Sequence, residues 1–233
     1  MPCTLPASLA DAAVCRGSFH AVLGGKAEDT VFAGFSAALQ KAQAEGRILT
    51  ASLFRYENHL FFYAEGLNRP FTPQGLCPAL DAALLPWPPA LGEAAPRPWA
   101  AMQPYFYHDV PTTAADWQQG RCPQRRRGRI ALLPPDSWCS YMEHHLRIVT
   151  EGLVEGDRWH LICVQEGVLF SYLEEPRTNV NIRHQPGAHS PELDAWIAAD
   201  PESHFARFTP EQKAHPDSGH NFVFLPRIAG TED

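Results

Sequence analysis

Leu60-Phe61-Phe62-Tyr63-Ala64-Glu65 and Leu169-Phe170-Ser171-Tyr172-Leu173-Glu174 carry one pattern twice. Each is an aromatic-rich run of strand type. Each follows another such run, Ile48 to Tyr56 and Arg158 to Gln165, across the turn residues Glu57-Asn58 and Glu166-Gly167, so each half of the chain reads as a β-hairpin. A second pair of segments answers in the same way: Pro78-Ala79-Leu80-Asp81-Ala82-Ala83-Leu84 matches Pro191-Glu192-Leu193-Asp194-Ala195-Trp196-Ile197. Because both matches keep their place in the order of elements, the chain reads as a tandem duplication.

Working outward, the first hairpin is preceded by a strand, Arg16 to Leu23, stopped by Gly24-Gly25. Between them lies an amphipathic helix, Glu28 to Glu45, with Val31, Phe35, Ala38, Leu39 and Ala42 on one face and Gly46 as its stop. After the hairpin come a short helix over Pro78 to Leu85, checked by the prolines of 86–98, and a closing strand, Met102 to Tyr107. The second half repeats this with a strand at Arg129 to Leu133, a helix opening at Pro135, the hairpin, a helix at Pro191 to Ala199 and a strand at Asn221 to Leu225. The expected fold class is therefore α+β: two tandem ferredoxin-like (βαββαβ) units forming an intrachain dimeric α/β-barrel. The first unit covers residues 16–110, an Arg-rich linker 111–128 and the second unit 129–229. Arg121, Arg125, Arg126 and Arg127 of the linker, with Arg129 just past its end, form a basic cluster, and a solvated segment is expected there rather than a phosphate or nucleic-acid contact.

The fold carries no function by itself, so chemistry has to come from the second unit's opening helix. In Pro135-Asp136-Ser137-Trp138-Cys139-Ser140-Tyr141-Met142-Glu143-His144-His145-Leu146-Arg147-Ile148-Val149, Asp136 is the expected N-cap. Trp138, Tyr141, Met142, His145, Ile148, Val149 and Gly152 share one face, with Glu143, Arg147 and Glu151 opposite and His144 at the edge. That spacing sets the Tyr141 phenol one turn from the His145 imidazole, a pairing suited to proton transfer near neutral pH. A histidine on an apolar face is also often a plain core residue.

The formal charge of −7 argues against an open nucleic-acid surface. The six cysteines, Cys3 among them, are scattered with no C-x-x-C pair and read as reduced thiols. Residues 1–14 lack the pattern of a signal peptide, and no window suits a membrane span, so a cytoplasmic protein without membrane partners is expected. His184 and His189 lie in a polar loop away from any helical ligand spacing, and no metal is expected.

From Arg129 to Leu225 the chain resembles the L-rhamnose mutarotase family. The resemblance rests on Pro135-Asp136 after a strand, Tyr141-x-x-x-His145, Ile148 and Glu151-Gly152-Leu153, the second hairpin, Trp196 with Asp200, and Phe222-Val223-Phe224-Leu225. It implies a mutarotase that opens and closes a monosaccharide ring by acid/base catalysis, with His145 and Tyr141 catalytic and no cofactor. His144, His160, His204 and Phe205 are candidate substrate contacts, with Trp159 an alternative stacking ring. A homodimer is a further expectation. The chain departs from the family where a tryptophan pair should follow the second helix, since Ser203 to Phe208 stand there. Thr30 and Gly34 occupy the first-half positions that answer to Tyr141 and His145, so a single site in the second unit is expected. The rival readings are a non-catalytic sugar or small-molecule binder and a haem- or polyketide-type α/β-barrel oxidoreductase, in which His145 would be an axial ligand or a base.

Overall fold

The computed structural model describes residues 6–152, 154–177, 183–184, 187, 189–213 and 218–231, and for Val154, Glu155, Arg183 and His184 the backbone alone. Cys3, Leu153 and the side chain of His184, all named above, lie outside the described residues. In chain order the elements are β1 (Val14–Leu23), α1 (Asp29–Ala44), β2 (Ile48–Tyr56), β3 (His59–Leu67), α2 (Pro78–Asp81), β4 (Leu84–Leu85) and β5 (Ala100–Tyr107). They continue with α3 (Ala114–Gln118), β6 (Arg125–Leu132), α4 (Pro135–Glu151), β7 (Val154–Glu155), β8 (Leu161–Gln165) and β9 (Val168–Glu175). The chain closes with β10 (Arg183–His184), α5 (Pro191–Ala198), β11 (Val223–Leu225) and β12 (Arg227–Gly230). No helix among the described residues is long and apolar enough to cross a membrane.

The chain is of mixed α+β type and divides into two compact units. The first comprises Met1–Met102, Pro111–Pro123 and Pro226–Asp233. Its antiparallel sheet runs β5–β1–β3–β2–β12, with β5 contributing Ala100–Met102. Phe32, Phe35, Leu39 and Ala42, spaced to share one face of α1, pack on Ala21, Leu23, Leu53, Leu60 and Phe62. Residues alternate along β3, so Tyr63 and Glu65 point to the opposite face from Phe62 and Ala64. There the Tyr63 hydroxyl donates to Glu65 at 2.6 Å, and Arg121 holds the same carboxylate with two bonds of 2.7 and 3.0 Å. Burial favours the protonated acid, but the Arg121 guanidinium outweighs it and holds Glu65 below the usual carboxylate range.

Arg121 thus corrects the expectation of a solvated linker over 111–128. Its guanidinium is buried because a buried carboxylate answers it. The same segment forms α3, capped by the Thr113 side chain on the Asp116 N–H, and buries Trp117. β6 begins at Arg125, four residues earlier than expected, because Arg125, Arg126 and Arg127 pair with Glu174 and Glu175 on the adjoining strand.

The second unit comprises Gln103–Val110 and Gln124–Leu225. Its antiparallel sheet runs β11–β6–β9–β8–β5, here with Gln103–Tyr107 of β5. On β9 the Tyr172 hydroxyl donates to Glu174 at 2.6 Å, as Tyr63 does to Glu65. The repeated Tyr-x-Glu of the sequence is therefore one buried hydrogen bond built twice. α4 opens on Pro134 and Pro135, which puts Asp136 in the first turn rather than at the N-cap. Its carboxylate is still favoured there by the helix dipole. The helix ends where Gly152, at φ +68°, takes the left-handed conformation that other residues resist. Tyr141, His145 and Ile148 form its buried stripe, whereas Trp138, 41% exposed, lies over an apolar groove beside Leu133 and Val168.

Candidate functional site

α4, α5, the end of β5, β6 and the loops around Asp157 and Glu202 enclose a cavity of about 380 Å³ in the second unit. Tyr141, His145, His160 and Phe205 line it, together with Phe106, His108, Arg129, Asp157, Arg177, Trp196, Glu202 and Phe222. His144 and His204 are not in its wall; both rings lie against Trp196, at 5.6 and 5.9 Å between centroids. Trp159 precedes β8 in a turn and does not line the cavity either.

His145 is 4% exposed and surrounded by rings. Trp196 meets it edge to face at 4.4 Å, Phe106 at 4.8 Å and Tyr105 at 5.5 Å, while the Tyr141 ring lies 4.2 Å away. Its Nδ1–H donates to the backbone carbonyl of Tyr141 at 3.0 Å. A carbonyl only accepts, so this bond fixes the tautomer and leaves Nε2 as the acceptor. Among the described residues nothing hydrogen-bonds Nε2. Burial pushes the imidazole down to about 4, with the neighbouring histidines His144, His204 and His108 adding to the shift. His145 is therefore a neutral base at pH 7. Burial also raises the Tyr141 and Tyr105 phenols, which remain hydroxyls.

Four charged groups, Asp157, Arg177, Glu202 and Arg129, share the wall. Asp157, nearly buried, is ion-paired with Arg177. The Glu202 carboxylate accepts from the Asn221 amide. Arg129 has its guanidinium carbon 4.3 Å from the Phe222 ring centroid, and burial followed by the nearby Arg177 lowers it to about 10, so it stays a cation. His108 stands edge-on to Phe106 at 4.8 Å, and burial lowers its pKa against the pull of Asp157. Among the described residues no cluster of three or more His, Cys, Asp or Glu is arranged to hold a metal.

Sequence reasoning missed Arg129, Asp157, Arg177, His108, Phe106 and Trp196 as wall residues. A trace of Arg129 was present, because Arg127, Arg129 and Ala131 alternate in strand fashion into Leu133. The loop residues left no periodic signal.

No family model matches the chain, and no curated protein matches it. Solved structures do match over nearly its whole length. A candidate monooxygenase from Fusobacterium nucleatum covers 95% of both chains at 8% identity and TM-score 0.42. A candidate monooxygenase from Lactobacillus acidophilus covers 94% of this chain and 96% of its own at 5% identity and TM-score 0.39. An anthrone oxidase-like protein covers 92% of both at 8% identity and TM-score 0.38. Likeness at this level transfers no activity. The names nonetheless stand against the resemblance to L-rhamnose mutarotases, and the family, the mutarotase activity and its isomerase and carbohydrate context are withdrawn. The physical reason lies in the motif. Tyr-x-x-x-His spacing arises whenever a helix turns two such residues inward one turn apart, and here the histidine is bound to the tyrosine's carbonyl rather than its phenol.

Proposed function

We propose that the second unit holds the active site of an oxidoreductase acting on a flat, largely aromatic small molecule, with His145 accepting the proton that the compound loses on oxidation. The state of His145 carries this reading: a neutral imidazole, its tautomer fixed, its Nε2 open, on the wall of a cavity lined by Phe106, Trp196, Phe205 and Phe222. Rings of this kind favour a planar ligand. Loss of a proton from an activated phenol or methylene gives an electron-rich anion, the form that dioxygen oxidises. Oxidation of a small molecule is also the reaction class in the names of the structures compared above. Tyr141 supplies a hydroxyl donor beside the base.

The reading extends to the scaffold. The strand orders β5–β1–β3–β2 and β11–β6–β9–β8, each with a helix after its first and third strands, support two ferredoxin-like units. The first, with Thr30 and Gly34 where the second has Tyr141 and His145, serves as scaffold.

Oxygen uptake with 1,8-dihydroxyanthrone tests this. One dioxygen consumed per methylene, giving one carbonyl and one water, faster with native protein than without and lost in His145→Gln, is the expected result. Saturable quenching of tryptophan fluorescence without oxygen uptake would reduce the site to a binder. A Soret band in the purified protein would instead make His145 a haem ligand.

A further inference from the structure

We propose that Arg129 recognises an oxyanion on the aromatic compound, either a carboxylate or an ionised phenol, and so sets the substrate class of the cavity. This rests on the small-molecule reading of that cavity. The other arginines of β6 are all answered by carboxylates: Arg125 and Arg127 by Glu175 at 3.8 and 3.0 Å, and Arg126 by Glu174 at 3.6 Å. Arg129, two residues on, faces the cavity, and among the described residues no carboxylate lies within 4 Å of it. Its Nε is buried without a hydrogen-bond partner.

The other charges of the wall do not fill that gap. Asp157 is committed to Arg177, and the exposed Glu202 accepts from Asn221. Glu202 attracts Arg129 from beyond ion-pair distance, and a buried cation with no carboxylate in contact is costly, a cost relieved when a ligand brings the missing charge. A guanidinium matches a carboxylate or phenolate in plane and in donor geometry. Arg129 and the Phe222 ring it lies against, at 4.3 Å, both line the cavity, so an oxyanion bound by the guanidinium would carry its ring beside Phe222. The arrangement also assists the base: an anion held by Arg129 lowers the energy of the deprotonated compound, which His145, as a weak base, could not stabilise alone.

The test is a fluorescence titration of the full chain at pH 7 with 2-naphthoate and its neutral ester, methyl 2-naphthoate. Native protein is expected to prefer the acid by about tenfold, the scale of one charge-assisted pair. Arg129→Gln should abolish that preference, and Arg129→Lys, which keeps the charge, should retain part of it. Arg129→Lys also serves if the glutamine variant does not fold. A third probe, 2-naphthol, separates the two sources of the oxyanion: the red-shifted absorbance of bound naphtholate supports a phenolate, and its absence alongside a naphthoate preference supports a carboxylate. Equal binding of acid and ester overturns the proposal and leaves the aromatic site standing. A preference that survives in Arg129→Gln overturns it by placing recognition elsewhere. Failure of every ring compound to bind removes both the proposal and the cavity reading beneath it.

Discussion

The His145 imidazole donates its Nδ1 proton to the backbone carbonyl of Tyr141, one helical turn earlier, at 3.0 Å. The bond sets the ring's tautomer, and the surrounding rings of Trp196, Phe106 and Tyr105 hold its plane. Tyr141 therefore matters to His145 through its place in the helix, while its hydroxyl interacts with that of Tyr105. Replacing His145 should remove general-base catalysis, a loss of about a hundredfold or more. Tyr141→Phe keeps both the helix and the carbonyl, so a loss of about tenfold or less is expected. Initial rates of oxygen uptake with 1,8-dihydroxyanthrone, set beside near-UV circular dichroism to confirm folding, measure both. A larger loss in Tyr141→Phe than in His145→Gln would refute this division of roles.

The buried imidazole also ties stability to pH. His145 titrates near 4 when folded and near its ordinary 6.5 when unfolded, so between those values the unfolded chain holds more protons. Stability is therefore fully present above about pH 6.5 and is lost as the pH falls toward 4. The difference corresponds to about 3 kcal/mol. His108 and His59, both lowered by burial, act in the same direction. Urea midpoints from pH 4 to 7.5 should rise with pH, and His145→Phe, which has no proton to gain, should flatten part of the slope. An unchanged slope would show that the imidazole is hydrated in solution.

How much of this was legible in the sequence follows from periodicity. The helix α1, both hairpins and the inward stripe of Tyr141, His145 and Ile148 have regular spacing, and they form close to where that spacing puts them. Arg121 to Arg129 misled because a run of charge in a Pro/Gln/Gly context has the composition of a solvated segment. Its partners Glu174 and Glu175 are brought to it by sheet register and Glu65, 56 residues from Arg121, by tertiary packing of the loop after α3. The site was half legible for the same reason. Its helical part can be read from α4, whereas Asp157, Arg177 and His108 reach the cavity from loops and a strand end, where only the tertiary fold sets their neighbours.

The repeated Tyr-x-Glu bond makes a prediction about the core. Glu65 and the Arg121 side chain are almost wholly buried, so removing either partner strands a charge. Arg121→Met should lower the unfolding free energy by about 3 to 5 kcal/mol. Glu65→Gln together with Arg121→Met should recover much of that loss, since no charge is then left unpaired. Arg147, paired with Glu143 and Glu192 on the open face of α4, is exposed to solvent, and Arg147→Ala should leave the midpoint nearly unchanged. Chemical denaturation of the three variants beside the native protein gives the comparison, and equal effects at Arg121 and Arg147 would contradict it.

Gly156 sits where the cavity is most sensitive to a single methyl group. A Cβ at this position would lie 2.0 Å from the His108 ring, far inside contact distance. His108 would have to swing away, and it is held by its edge-on contact with Phe106, which itself packs against His145 at 4.8 Å. Gly156→Ala should therefore disturb the wall as well as the loop, destabilising the protein by about 1 to 3 kcal/mol, as overpacking does. His108→Ala removes the obstructing ring. In the double variant the alanine at 156 has space, so the stability loss from Gly156→Ala should largely disappear against a His108→Ala background. Binding of 2-naphthoate should follow the same pattern, weakened by Gly156→Ala in the native background and little changed by it once His108 is gone. Purely additive effects in both measurements would show that the two residues do not meet in solution as they do in the structure.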